Sequence, residues 1–243
     1  MDWIKAGTMG SKVIMPSSSF EMVHERRRKE RGPSRTSSRT AGKLVIRALD
    51  IILSLCILFF TLPILVLAGL LVKFQDGGPI FYGQVRIGEN GKTFKCYKFR
   101  SMLVDADSRL KQLLETSLEA RCEWERDHKL KNDPRITQLG RFMRKTSIDE
   151  FPQIWNVLVG EMSLVGPRPI VQAEVKKYGK SIRHYASVRP GITGLWQVAG
   201  RNDVTYSRRV AMDRLFVRKT GVVTYFHILV MTLPAVLLQR GSY

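Results

Sequence analysis

Cysteine and histidine are scarce in this chain of 243 residues, and their scatter excludes two common ways of stapling a fold. Cys56, Cys96 and Cys122 lie far apart with no Cys-x-x-Cys pair, and His24, His128, His184 and His227 are equally dispersed. A disulfide framework or a zinc site needs clustered thiols or imidazoles, so neither is expected, and the pattern suits a reducing compartment. Acidic residues are also few, 21 Asp and Glu against 40 Lys and Arg. That imbalance favours an anionic partner, whether nucleic acid, an acidic membrane surface or a phosphorylated substrate, and charge alone does not choose among them. No P-loop, dinucleotide-binding glycine fingerprint or Ser-His-Asp spacing occurs, and no internal repeat is visible.

What is present begins with a polar tail. Residues 1–43 hold Ser17-Ser18-Ser19, the run Arg26-Arg27-Arg28-Lys29, and ten basic against four acidic residues. So little apolar surface predicts a mostly disordered segment. Its basic cluster is either a solvated tail or an attraction to anionic lipid headgroups, at roughly 1 kcal/mol per basic residue near the surface.

The one long hydrophobic run follows at once. Ile51 to Val72 is uncharged for 22 residues, about 33 Å as a straight helix, enough to cross a hydrocarbon core of roughly 30 Å. Pro63 near its middle removes a backbone hydrogen bond and favours a break. Basic residues flank both ends: Arg35, Arg39, Lys43 and Arg47 before, Lys73, Arg86, Lys92 and Lys95 after. A simple span could keep only one of these flanks in the cytoplasm. The expectation is therefore a proline-broken, re-entrant helix over 44–75 and a cytoplasmic domain over 76–243.

That domain reads as α+β, mostly helical. Ile80 to Ile87 and Thr93 to Phe99 alternate like strands around the turn signal Asn90-Gly91, predicting a hairpin. Leu110, Leu113, Leu114 and Leu118 recur at helical spacing, predicting one amphipathic helix within 103–130. Short helices are expected within 152–160 and 171–187. The apolar stretch Val222 to Leu238 fits either the core or the membrane interface.

Chemistry-bearing residues cluster in four places. Arg144-Lys-Thr-Ser-Ile-Asp149-Glu150-Phe-Pro152-Gln153 puts adjacent carboxylates just before a helix, with Asp149 as candidate N-cap and Ser147-x-x-Glu150 as candidate capping box. Among Arg141, Arg144 and Lys145 the same carboxylates would stay ionised, able to attack phosphorus or hold a divalent metal. Lys98-Phe-Arg100-Ser-Met102 closes the hairpin, and Gly166-Pro-Arg168-Pro169 is a rigid loop suited to a bidentate phosphate contact. Arg189-Pro-Gly-Ile-Thr-Gly-Leu-Trp-Gln197 and the loop Gly200-Arg201-Asn202-Asp203 complete the set.

Together and in this order, behind one proline-containing hydrophobic helix, these segments resemble the bacterial sugar transferase family, the monotopic phosphoglycosyl transferases. The resemblance covers about residues 43–243. Arg240-Gly-Ser-Tyr243 and the loop at Arg201 look like the branch that starts exopolysaccharide assembly with galactose or glucose. It implies an enzyme at the cytoplasmic face of the bacterial inner membrane that passes a hexose 1-phosphate from a UDP-sugar to undecaprenyl phosphate, releasing UMP. It further implies Asp149 as nucleophile, Glu150 with Asp149 as ligands of Mg2+, Lys98 as support of the acidic pair, and Arg144, Arg168, Arg100 and Arg201 on substrate phosphates. Membrane lipids are implied partners, nucleic acid is not, and a homodimer is compatible. Two departures stand out. Leu62-Pro63 replaces the family's frequent Ser-Pro, leaving Thr61 as the hydroxyl available for a freed carbonyl, and Phe151 replaces the usual leucine. A membrane-anchored protein binding anionic lipid or nucleic acid, or a non-catalytic scaffold, would share the charge and the anchor but leave Asp149-Glu150 and the Pro-Arg-Pro loop unexplained.

Overall fold

A computed structural model describes residues 34–127, 130–200 and 204–237. By its internal contacts the chain divides into Met1–Lys43 and Leu44–Tyr243. Most of the basic tail, residues 1–33, lies outside the described residues, as do Arg201 and residues 240–243. The described end of the tail differs from the expectation of disorder. It is already helical, because helix α1 (Ser34–Asp76, 43 residues) begins there. A helix nucleated by the apolar run extends outward through good formers such as Ala41, Lys43 and Arg39 at little cost.

Helix α1 continues through Pro63, where the sequence suggested a break. Proline deprives the Phe59 carbonyl of its donor, but Leu62, Ile64 and Leu65 favour helix strongly enough to carry it past one lost bond. The Thr61 hydroxyl donates to the Ile57 carbonyl at 2.7 Å, so it serves a carbonyl other than the one Pro63 frees.

The hairpin forms as expected, from β1 (Phe81–Ile87) and β2 (Thr93–Phe99), paired antiparallel with Gln84 opposite Cys96 and Tyr82 opposite Lys98. Asn90 and Gly91 both take positive φ in the connection, which is what made Asn-Gly a turn signal. The hairpin links three apolar clusters. Phe94 and Cys96 enter one with Val157, Leu164 and Ile228; Phe99 enters a second with Val72 and Met143; Ile87 enters a third with Ile170 and Tyr185.

The single amphipathic helix expected over 103–130 is two, α2 (Ala106–Thr116) and α3 (Leu118–Asp127), because the chain is extended at Ser117. Helices α4 (Gln138–Thr146) and α5 (Gln153–Val159) follow, then β3 (Ser163–Val165). The short helices α6 (Val175–Tyr178) and α7 (Ile182–Tyr185) lie where predicted. Strand β4 (Gly191–Thr193) pairs parallel with β3, and α8 (Leu195–Ala199), α9 (Tyr206–Lys219) and α10 (Val222–Leu237) complete the described chain. The architecture is α+β and mostly helical. Helix α10 contributes Tyr225 and Ile228 to the core, while its Val223, Val230 and Leu233 are exposed.

Both ends of the apolar part of α1 are fastened within the unit Leu44–Tyr243. Near its start, Arg47 donates to the carbonyls of Val157 (2.6 Å) and Leu158 (2.7 Å), capping the last turn of α5. One turn on, the buried carboxylate of Asp50 accepts from Ser163 Oγ (3.0 Å), the Leu164 amide (2.9 Å) and Tyr225 Oη (2.9 Å). At the other end Arg100 pairs with Asp76 and donates to the Val72 carbonyl. Between these grips Leu55, Phe59, Phe60, Leu62 and Ile64 are exposed.

Candidate active site

The acidic pair is delivered by a sharp change of direction. Thr137 caps α4 by accepting from the Gly140 amide at 2.9 Å. Gly140 allows α4 to approach the end of the hairpin, since a Cβ there would fall 2.0 Å from the Ser101 carbonyl oxygen. That approach lets Arg144 Nε donate to Ser101 Oγ at 2.9 Å. Ser147 ends α4 in the left-handed conformation (φ 60°), and a 3-10 turn, Ile148–Glu150, carries the two carboxylates. The N-cap expected at Asp149 is therefore corrected. Pro152 holds that position, α5 starts at Gln153, and Ser147 makes no side-chain cap bond, so there is no capping box. The tight turn brings the carboxylates in ahead of the helix.

Their environments differ although they are neighbours. Glu150 pairs with Lys98 Nζ at 2.5 Å. Burial alone would raise its pKa, but Lys98, Arg168 and Arg86 together hold it below the ordinary glutamate range. Asp149 is 7% exposed and is pushed up to about 6, first by burial and then by the charge of Glu150, with Lys98 and Arg144 pulling the other way. One carboxylate is thus held firmly ionised, and its neighbour is ionised at neutral pH but unusually basic.

Two glycine-rich segments build the opposite wall. β3 leads into Gly166 and the parallel β4 starts at Gly191, and the backbones of these two glycines touch; a Cβ on Gly191 would fall 2.0 Å from the Gly166 nitrogen. The Gly166 amide donates to the Thr193 carbonyl (2.8 Å) and the Gly191 amide to the Pro167 carbonyl (2.8 Å). Pro167 and Pro169 are buried while Arg168 between them is exposed, so the loop presents one guanidinium on a fixed base. Arg168 makes no hydrogen bond or ion pair with any described residue. A shallow, open cleft lies here, lined by Lys98, Glu150, Arg168, Arg86, Gln153 and Gln197 among others.

Of the residues expected from sequence, Lys98, Glu150 and Arg168 meet in this cleft, Asp149 adjoins Glu150, and the charge of Arg144 lowers the pKa of Asp149. Arg100 is elsewhere, buried against Asp76 and the end of α1. Arg201 lies outside the described residues. Sequence reasoning missed Arg86, Gln153 and Gln197 as lining residues. For Arg86 a signal existed, because hairpin alternation puts residues 84, 86, 96 and 98 on one face once the register is known. Among the described residues no group of three or more His, Cys, Asp or Glu gathers to hold a metal. Two adjacent carboxylates fit a hard cation that completes its shell with phosphate oxygens and water, as Mg2+ does, and not an all-protein cage.

The family model described as bacterial sugar transferase matches residues 41–239. The undecaprenyl-phosphate galactose phosphotransferase of Salmonella typhimurium is 48% identical over 206 residues, 85% of this chain and 43% of that protein. The exopolysaccharide production protein ExoY of Sinorhizobium fredii is 45% identical over 205 residues, 84% of this chain and 91% of the relative. The UDP-glucose:undecaprenyl-phosphate glucose-1-phosphate transferase of Escherichia coli is 33% identical over 253 residues, 98% of this chain and 51% of that protein. The chain spans less than half the length of several of the curated relatives it matches.

Proposed function

The chain belongs to the bacterial sugar transferase family, and from that premise we propose that it transfers a hexose 1-phosphate, galactose or glucose, from a UDP-sugar to undecaprenyl phosphate. The observation that carries the proposal is the ion-paired Glu150 beside a basic, buried Asp149 at the edge of a cleft rich in cations. A carboxylate with a pKa of about 6 is roughly nine-tenths ionised at pH 7 and more nucleophilic than an ordinary aspartate. Its oxygen attacks the β-phosphorus of the donor while the bond to the bridging oxygen breaks, and UMP leaves with that oxygen. An oxygen of undecaprenyl phosphate then attacks the same phosphorus, the aspartyl–phosphate bond breaks, and the free carboxylate returns with a polyprenyl diphosphosugar as product.

Lys98 fixes Glu150 and lowers the cost of ionising Asp149. Arg144 stabilises the same carboxylate and is oriented by Ser101. Glu150, with Asp149, would hold Mg2+ shared with the donor's diphosphate, and the bound ion would neutralise phosphate charge.

The placement of α1 supports membrane attachment by a re-entrant helix. Among the described residues it is the one helix long and apolar enough to cross a bilayer. Yet Arg47 and Asp50 at one end, and Val72 and Asp76 at the other, are all bonded to the same domain. Crossing would carry one grip to the far side, away from its partners. Dipping keeps both grips together and gives Phe59, Phe60 and Leu62 to lipid, each worth about 1.5–3 kcal/mol over exposure to water. The basic flanks support a domain at the cytoplasmic face of the inner membrane, and the relatives' names support a first membrane step of exopolysaccharide synthesis.

The test is UMP release by the purified protein with Mg2+, undecaprenyl phosphate and UDP-galactose or UDP-glucose, beside Asp149→Asn. Turnover with one donor, lost in the variant, is expected. No UMP from any donor would overturn the proposal.

A further inference from the structure

The charges of the cleft do not balance within the protein. Lys98 is committed to Glu150, and Arg144, which interacts with Asp149, is not among the residues lining the cleft. Arg86 and Arg168 remain, two guanidinium groups lining one cleft, close enough that Arg168, after burial, pushes the pKa of Arg86 below its ordinary value. Like charges held together cost free energy unless an anion comes between them.

The two are built differently. Arg86 is largely buried and fixed: Nη1 donates to the Pro169 carbonyl at 3.0 Å, Nη2 donates to Gln84 Oε1 at 2.5 Å, and Glu174 lies 3.8 Å away. The next residue repeats the attachment, since the Ile87 amide donates to the Ile170 carbonyl at 2.9 Å. Arg86 therefore grips the loop that carries Arg168 as well as facing the cleft. Arg168 is exposed and bonded to nothing described.

We propose that Arg86 and Arg168 form a paired guanidinium seat for the α-phosphate of the donor, the phosphate that leaves as UMP, with Arg86 the fixed half. This rests on the proposed transfer reaction and adds a residue to it. The acidic pair and Lys98 mark the reacting phosphorus, so the two arginines that line the same cleft fall to the neighbouring phosphate, where negative charge grows as the bond breaks. Both arginines can fork onto phosphate oxygens.

The experiment compares binding of UMP and uridine to full-length wild type, Arg86→Gln and Arg86→Lys in detergent. Glutamine keeps an N–H for the Pro169 carbonyl and removes the charge; lysine keeps the charge and loses the fork. UMP affinity is expected to fall about tenfold to a hundredfold in Arg86→Gln and less in Arg86→Lys, with uridine affinity unchanged in both. Unchanged UMP affinity in Arg86→Gln overturns the seat, and equal loss for UMP and uridine overturns it too, by showing a collapsed loop. A raised KM for undecaprenyl phosphate with intact UMP binding assigns the pair to the acceptor instead and overturns it as stated. If wild type binds UMP no better than uridine, the transfer reading itself fails.

Discussion

Asp50 and Asp149 are both buried aspartates in a strongly basic chain, and they are treated in opposite ways. Asp50 receives three hydrogen bonds, from Ser163, Leu164 and Tyr225, which join α1 to β3 and α10. The Asp149 carboxylate accepts none from another residue and is balanced only by the charges of Lys98 and Arg144. All three bonds converge on one oxygen, Oδ1, and hold the carboxylate to β3 and α10, so it serves as an anchor. A carboxylate without such bonds pays for its burial in stability and keeps its oxygens free for phosphorus. The difference separates a structural acid from a reactive one on hydrogen-bond count alone.

The sharpest break of this comparison is Asp149→Asn. Turnover is expected to fall about 10,000-fold or more, as for loss of other covalent nucleophiles, measured as UMP release. Stability should move the other way. The folded pKa of Asp149, about 6, lies above its unfolded value near 3.8, so the folded state binds the proton more tightly. The protonated carboxyl therefore contributes stability that is fully present below pH 4 and is lost as the group ionises with pH rising through 6. At pH 7.5 the variant should be more stable than wild type, by an amount on the order of 2–3 kcal/mol, and the two should converge below pH 4. Thermal unfolding in detergent across that range reads both limbs; a less stable variant at pH 7.5 would remove the contrast.

Asp50→Ala tests the other side. It leaves a buried amide and two hydroxyls without their acceptor, and a loss of about 3–5 kcal/mol is expected. Asp50→Asn keeps one acceptor oxygen and should cost less. Detergent unfolding measures both, and UMP release per folded molecule should be unchanged because Asp50 does not line the cleft.

Lys98→Met asks how far the surrounding charge governs the reactive acid. Lys98 lowers the pKa of Asp149 and bonds Glu150, so its loss should raise the acid limb of the pH–rate profile above the wild-type value near 6. A fall of about 100-fold at neutral pH is expected, with partial recovery at higher pH. A profile that drops without shifting would show that Lys98 acts on substrate alone.

Much of the frame was legible in the sequence because its signals are local. The hairpin follows from alternation around Asn90-Gly91, and the apolar run of α1 from composition. Asp149 was misplaced because Ser147, Asp149 and Pro152 each match a position in a helix start, and only the left-handed Ser147 and the 3-10 turn decide that the helix waits until Gln153. Arg100 shares parity with Lys98, and on a longer strand both would face the cleft. The strand ends at Phe99, so Arg100 turns to Asp76 instead. Arg86 was hidden for a different reason. Its neighbours Pro169 and Glu174 are more than eighty residues away in the chain, and nothing local points to them.

The smallest effect belongs to Ser101, whose Oγ accepts from Arg144 Nε at 2.9 Å. Arg144 is an exposed arginine whose charge lowers the pKa of Asp149. Ser101→Ala removes one partner of the guanidinium but no charge, so about 1 kcal/mol is at stake, a few-fold in rate. If Arg144 matters through its field at Asp149, kcat should fall while the KM for the UDP-sugar stays, because the disturbed group acts on the nucleophile. If Arg144 instead grips donor phosphate, KM should rise with kcat nearly intact. Ser101→Thr retains the acceptor oxygen and should recover most of either loss. Steady-state UMP release for the three proteins separates the cases, and the first outcome would make Arg144 part of the balance that leaves Asp149 ionised without saturating it.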